Sequence, residues 1–151
     1  MAGMFVNLPV TDLEKAKVFY TALGGRVNPA FTDQNAACIV IEDDHSYFML
    51  LTREFFQTFT DLPLGDNKTA PAVSVALFQD SREEVDALAT KLLELGGTEP
   101  RPAADYGFMY QRGIADPDGN PLELGWMDPK AQSMGPDAYA ATQSGDAAQN
   151  S

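Results

Sequence analysis

An internal repeat constrains this chain more than any other feature: its two halves overlay at an offset of roughly 70 residues. The segments Phe5 to Gly25 and Ser74 to Gly97 each read as a strand, then an amphipathic helix, then a double glycine. Thr11 with Glu14, and Ser81 with Glu84, have the spacing of a capping box, in which hydroxyl and carboxylate satisfy first-turn donors. Gly24-Gly25 and Gly96-Gly97 provide left-handed exits. Leu13, Ala16, Phe19, Tyr20 and Leu23 recur at helical spacing, as do Val85, Leu88, Leu92 and Leu95, so each helix buries one face.

After each double glycine the pattern changes to short β-type runs between turn residues. Residues 26–32, 36–42 and 47–52 are expected as strands in the first half, and 98–102, 108–115 and 121–127 in the second. Each half is therefore a βαβββ module, spanning residues 1–56 and 71–127, with a linker at 57–70 and a polar, aperiodic tail at 128–151 that is expected to be mobile. The aromatic run Phe55-Phe56-Gln57-Thr58-Phe59 reads as a short helix over a cavity mouth or at a dimer contact.

Charge and cysteine content exclude several function classes. The net charge is -12; Asp128, Asp137 and Asp146 against Lys130 place -2 of it after Met127, leaving -10 on the rest. A field of that sign repels phosphate and attracts cations, so nucleic acid is not an expected partner and a cationic ligand is permitted. No run approaches the ~18 apolar residues of a membrane span. The lone Cys38, within the apolar run 36–41, allows no intrachain disulfide and fits a reduced, cytoplasmic setting as a small buried hydrophobe.

The duplicated module, together with the strand-turn signature Asp116-Pro-Asp-Gly-Asn-Pro-Leu-Glu-Leu124, resembles the vicinal-oxygen-chelate superfamily of glyoxalases, bleomycin-resistance proteins and extradiol dioxygenases. The resemblance implies an α+β fold in which the two modules form a cup-shaped, mixed eight-stranded sheet. It also implies a homodimer, and usually a divalent metal held by two imidazoles and two carboxylates. Carried onto this sequence, the four ligand positions fall on Phe5, Leu50, Ser74 and Glu123. Only Glu123 is retained. His45, the single histidine, sits in the acidic turn Glu42-Asp-Asp-His45 and reads as a solvated hairpin.

No metal or other cofactor is therefore expected, and a divalent metal belongs to the alternative reading. Strand parity assigns Phe5, Asn7, Phe48, Leu50, Thr52, Ser74 and Glu123 to the cup and Trp126 to the helix side or a subunit contact, and the bulky run 105–112 offers Tyr110 as a ligand wall. Glu123, among apolar neighbours, is expected to have a raised pKa, as a general base, as the counter-charge of a cation, or simply as a retained residue bonded to a neighbouring strand or to water. The first reading of function is a metal-free protein that binds a cationic or aromatic small molecule. The second is a metal-dependent lyase, isomerase or dioxygenase like lactoylglutathione lyase, and the third a dimerisation module with a collapsed cup.

Overall fold

The computed structural model describes residues 3–149 and contains the repeat as two α+β modules. The first consists of β1 (Met4–Val10), α1 (Leu13–Thr21), β2 (Arg26–Asn28), β3 (Ala36–Glu42), β4 (Ser46–Thr52) and the short α2 (Arg53–Gln57). The second consists of β5 (Val75–Phe78), α3 (Arg82–Glu94), β6 (Ala104–Asp105), β7 (Met109–Ala115) and β8 (Pro121–Met127). Their eight strands form two four-stranded mixed sheets, in the orders β1-β4-β3-β2 and β5-β8-β7-β6, with no closed barrel. The module's first strand is in each case an edge strand, parallel to its last.

Local chemistry explains where these elements depart from the sequence expectation. Asp12, not Thr11, caps α1, because the Thr11 hydroxyl and amide both donate to Asp118 of the other module, at 2.6 and 3.0 Å. Ser81 caps α3 as expected, while Glu84 reaches back to the Asp80 amide. The strand expected over 26–32 stops at Asn28, where Pro29 removes a ladder donor and the Asn28 side chain starts a 3-10 turn over Pro29–Phe31. The expected strand at 98–102 is reduced to one bridge, Thr98 with Ala115, since Pro100 and Pro102 cannot donate.

Residues 129–149 contain two helices, α4 (Pro129–Met134) and α5 (Pro136–Gln149), where no regular element was expected. Their signals are local. Asp128 caps Pro129 at the first helical position, and Gly135, at φ 84°, separates the helices. Tyr139 anchors α5 through a hydrogen bond to Asp128. The last two residues of the expected tail, Asn150 and Ser151, lie outside the described residues. Among the described residues no helix is long and apolar enough to cross a membrane.

One core serves both modules. Phe19 and Tyr20 from α1, Val85, Ala89 and Leu92 from α3, and Phe48, Leu50, Ile114, Leu122 and Leu124 from the strands belong to a single buried cluster. The joint between the modules is polar. Buried Tyr20 donates to Asp116 Oδ2 at 2.6 Å, and Asp116 also accepts from the Asp118 and Asn120 amides and the Asn120 side chain. Asn67 of the linker donates to Asn120 at 2.7 Å. Gly119, at φ 85°, completes this turn where a Cβ would come within 2.8 Å of the Lys68 backbone nitrogen, so the linker requires glycine there.

Burial, then the negative charge and hydrogen bond of Asp116, push the Tyr20 phenol far above its usual 10.0. The folded chain thus holds this proton more tightly than the unfolded chain, and the resulting stability is complete below about pH 10 and is lost as the pH rises above it. Tyr20→Phe, which leaves a buried acceptor one donor short, is expected to destabilise the protein by about 1–3 kcal/mol at neutral pH and to flatten the alkaline decline. Urea melts from pH 7 to 11 measure both effects.

Candidate functional site

The ladders assign every side chain to a face. In the first sheet Val6, Leu8, Phe48 and Leu50 lie under α1, the Phe48 ring centroid 4.8 Å from that of Tyr20. Phe48, Leu50 and Thr52 are therefore on the helix side and not in a cup, which corrects their expected placement. Thr52 caps α2 instead. Two physical causes displaced the parity. The run Tyr47-Phe-Met-Leu-Leu51 is apolar on both faces and has no alternation, and a β-bulge between Val40 and Glu42 shifts the register of the β3–β4 hairpin.

The open face of β1 and β4 carries Phe5, stacked on Tyr47 at 4.3 Å, and Asn7 opposite Met49. Phe5 and Asn7 keep their expected face. Cys38 is buried, and burial pushes its thiol up. His45 is exposed in the hairpin turn.

The open face of the second sheet is the candidate site. The pairing sets side chains in cross-sheet rows: Phe78, Gly125 and Gln111 in one, Ala76, Glu123 and Gly113 in the next. Glu123 thus stands between two small neighbours, and a Cβ on Gly113 would meet nothing within 4 Å. Its carboxylate has no hydrogen-bond partner among the described residues. Above it lies an open groove of about 1140 Å³, to which Ser74, Gln111, Gly113 and Glu123 contribute, with the segment 100–106 along one side and Lys68 on the linker side. Ser74 and Glu123 are the two expected site residues that the structure brings together.

Tyr110 is not a wall of this groove. It pairs with Trp126 on the opposite face and donates to Asp86 of α3 at 2.7 Å. Trp126 faces α3, the helix side of its two expected placements. Arg112, on the same face, bonds Glu99 in a fork at 2.7 and 2.9 Å and Asp86 at 3.0 Å; its guanidinium holds the Glu99 carboxyl below its usual value, and the Tyr110 hydroxyl does the same for Asp86.

Residues 104–107 of the groove wall are fixed by Arg82, which the sequence reading did not single out. Its guanidinium lies 5.3 Å from the Tyr110 ring and 5.0 Å from the Trp126 ring, and donates to both Asp105 oxygens and to the Gly107 carbonyl. The Arg82 hydrogen bonds, followed by that of the Gly107 amide, hold the Asp105 carboxyl down at about 2.

At the positions that the resemblance gives to a divalent metal, the structure offers Phe5, Ser74 and Glu123. On β4 it offers Met49 rather than Leu50, since Met49 opposes Asn7 as Glu123 opposes Ala76. One carboxylate with a hydroxyl, a thioether and a phenyl ring does not fit a first-row metal, which takes imidazole, thiolate or several carboxylates. Among the described residues no three His, Cys, Asp or Glu side chains converge.

A family model described as bleomycin resistance protein-like N-terminal matches residues 3–42. No curated protein matches the chain. Among solved structures, a hypothetical protein, SA1046 of S. aureus, is 28% identical, with 83% of this chain and 94% of that chain covered and a TM-score of 0.70. A glyoxalase-related enzyme from Fulvimarina pelagi is 21% identical, with 83% and 87% covered and a TM-score of 0.68, a likeness of fold. TnmS3, an antibiotic binding protein from Streptomyces sp. CB03234, is 25% identical, with 84% and 96% covered and a TM-score of 0.57.

Arg82→Ala is expected to release the wall, read as faster amide exchange at Tyr106 and Gly107. Because Asp105 is held below the usual carboxylate range, the clamp in the unsubstituted protein is expected to persist as the pH falls through 4 and to open only towards about 2. Exchange at those two amides from pH 5 to 2 follows it.

Proposed function

This chain belongs to the vicinal-oxygen-chelate superfamily, whose fold it has and whose bleomycin-resistance-like signature its first module carries, and we propose that it binds a small cationic molecule without a metal. The observation that carries this reading is Glu123: an unpartnered carboxylate on the floor of an open groove, between Ala76 and Gly113, in a chain of net charge -12. A carboxylate in a partly water-excluded groove gains most from a ligand that supplies both a positive charge and a donor. Lys68 and Arg101 stand at the exposed rim, where solvent screens them, so Glu123 on the floor sets the preferred sign. The antibiotic-binding neighbour lends support to small-molecule binding. The alternative, a glyoxalase-like lyase, isomerase or dioxygenase, needs a Lewis acid that these residues do not suit.

Benzamidine and benzoate share a shape and differ in sign. Benzamidine is expected to bind and benzoate not, and Glu123→Gln is expected to weaken benzamidine about tenfold or more, the loss of a charge-assisted hydrogen bond. Benzoate binding in preference would assign the groove to Lys68 and Arg101 and overturn the reading. Metal content of protein purified without chelator is expected near zero per chain.

The same reading includes a homodimer in a reduced, cytoplasmic setting. Both β1 and β5 leave an outer edge unpaired among the described residues, and Met4, Phe5 and Phe78, all more than half exposed, sit on those strands. Edges of this kind are normally covered, and a two-fold partner covers both at once. Light scattering is expected to give twice the mass of one chain, and Phe5→Glu to shift it towards one.

A further inference from the structure

Gln111 is a half-buried residue whose side-chain amide has no partner among the described residues. Its neighbours in the cross-sheet row on the open face are Gly125 of β8 and Ala104 of β6, neither of which has a side-chain donor or acceptor. The two ends of the amide meet different surroundings. Oε1 is sealed and makes no hydrogen bond, whereas the N–H2 end, equally unpaired, stays accessible on the groove that Gln111 lines. Two causes favour this orientation. A sealed N–H2 would strand two donors, and one sealed oxygen is the milder loss. The negative charge of Glu123, one row away, also draws the positive end of the amide dipole to the open face. Glu123 and Gln111 are diagonal neighbours, which stand about 7–8 Å apart across a ladder, and they do not bond each other. Gly113 and Gly125 complete the square between them. The Phe78 ring covers Gly125, within 2.9 Å of where a Cβ would be, while a Cβ on Gly113 would meet nothing within 4 Å, so the open path from carboxylate to amide runs over Gly113.

We infer that Gln111 is a specificity-determining residue that donates to an oxygen of the bound molecule, so that the groove selects cations with a carbonyl or similar acceptor at the far side of a ring, or of a chain of like length, over cations that are otherwise hydrocarbon. Glu123 takes the positive charge, and the Gln111 N–H2 reads the oxygen. This selection rests on the cation-binding reading above. It goes beyond it in fixing a second polar group on the ligand and its separation from the first. A hydrocarbon group over the same spot strips water from the N–H2 and returns no acceptor, which is the cost that sets the preference.

Para-acetylbenzamidine and para-isopropenylbenzamidine have the same charge and nearly the same shape, and differ in a carbonyl oxygen against a methylene. Calorimetric titration of both into the full chain is expected to show the acetyl compound favoured about tenfold by the unsubstituted protein. Gln111→Met, of similar length and without a donor, is expected to erase that preference while both cations still bind. Heteronuclear NMR of the unsubstituted protein gives a second readout. The Gln111 side-chain N–H2 pair, assigned by its absence from the Gln111→Met spectrum, is expected to move further downfield with the acetyl compound than with the isopropenyl one. Equal binding of the two cations, a preference that survives Gln111→Met, or an N–H2 pair that moves equally with both overturns the Gln111 assignment and leaves the role of Glu123 standing. Failure of both cations to bind the unsubstituted protein overturns both readings.

Discussion

The buried Asp116 carboxylate holds the two modules in one arrangement. It takes donors from α1 of the first module, through Tyr20, and from its own turn, through Asp118 and Asn120, while Asn120 in turn receives Asn67 from the linker. A carboxyl group that is only 3% exposed cannot stand without such donors. Their convergence therefore specifies one docking of α1 against the turn, where apolar packing between Phe19 and Gly97 alone would tolerate sliding. The same turn starts β8, so the joint that orients the modules also sets the register that puts Glu123 on the open face.

From this joint the two faces of the second sheet acquire different work. Tyr110, Arg112 and Trp126 look towards α3 and tie its start to the wall of the groove through Arg82, Asp86 and Glu99. Gln111, Gly113 and Glu123 look the other way, and there the Glu123 carboxylate has no partner among the described residues. A fold that pairs its polar groups so thoroughly on one face and leaves the Glu123 carboxylate without a partner on the other has a floor suited to a donor from outside. The first sheet offers no such floor. Cys38, Val40 and Leu51 of its open face are already buried, and Phe5 and Tyr47 stack on each other.

Much of the fold was legible because repetition leaves a trace in one sequence. The paired helix faces, the glycine exits at Gly24 and Gly96, and the strands over Ala36–Glu42 and Pro121–Met127 stand where alternation and turn residues put them. The site was legible only in part. Glu123 and Ser74 share the groove, yet Gln111 and Gly113 went unnoticed although counting outward from the turn at Asp116–Asn120 pairs Gly113 with Glu123 and Gln111 with Gly125. The same count assigns Tyr110 to the face of Trp126. The error over Phe48, Leu50 and Thr52 had no such remedy, since an apolar strand gives no parity and a bulge moves the register without changing composition.

The sequence by itself determined the duplicated modules, the capped helices, the acidic charge and the shortage of imidazole and thiolate ligands, because each of these is a local or compositional property. Tertiary structure alone decided which face β4 presents and that Thr11 serves Asp118 instead of its own helix. It also decided that Gln111 Oε1 is left without a partner. Whether a donor or acceptor is satisfied depends on atoms distant in the chain, and no pattern of neighbours along it carries that information.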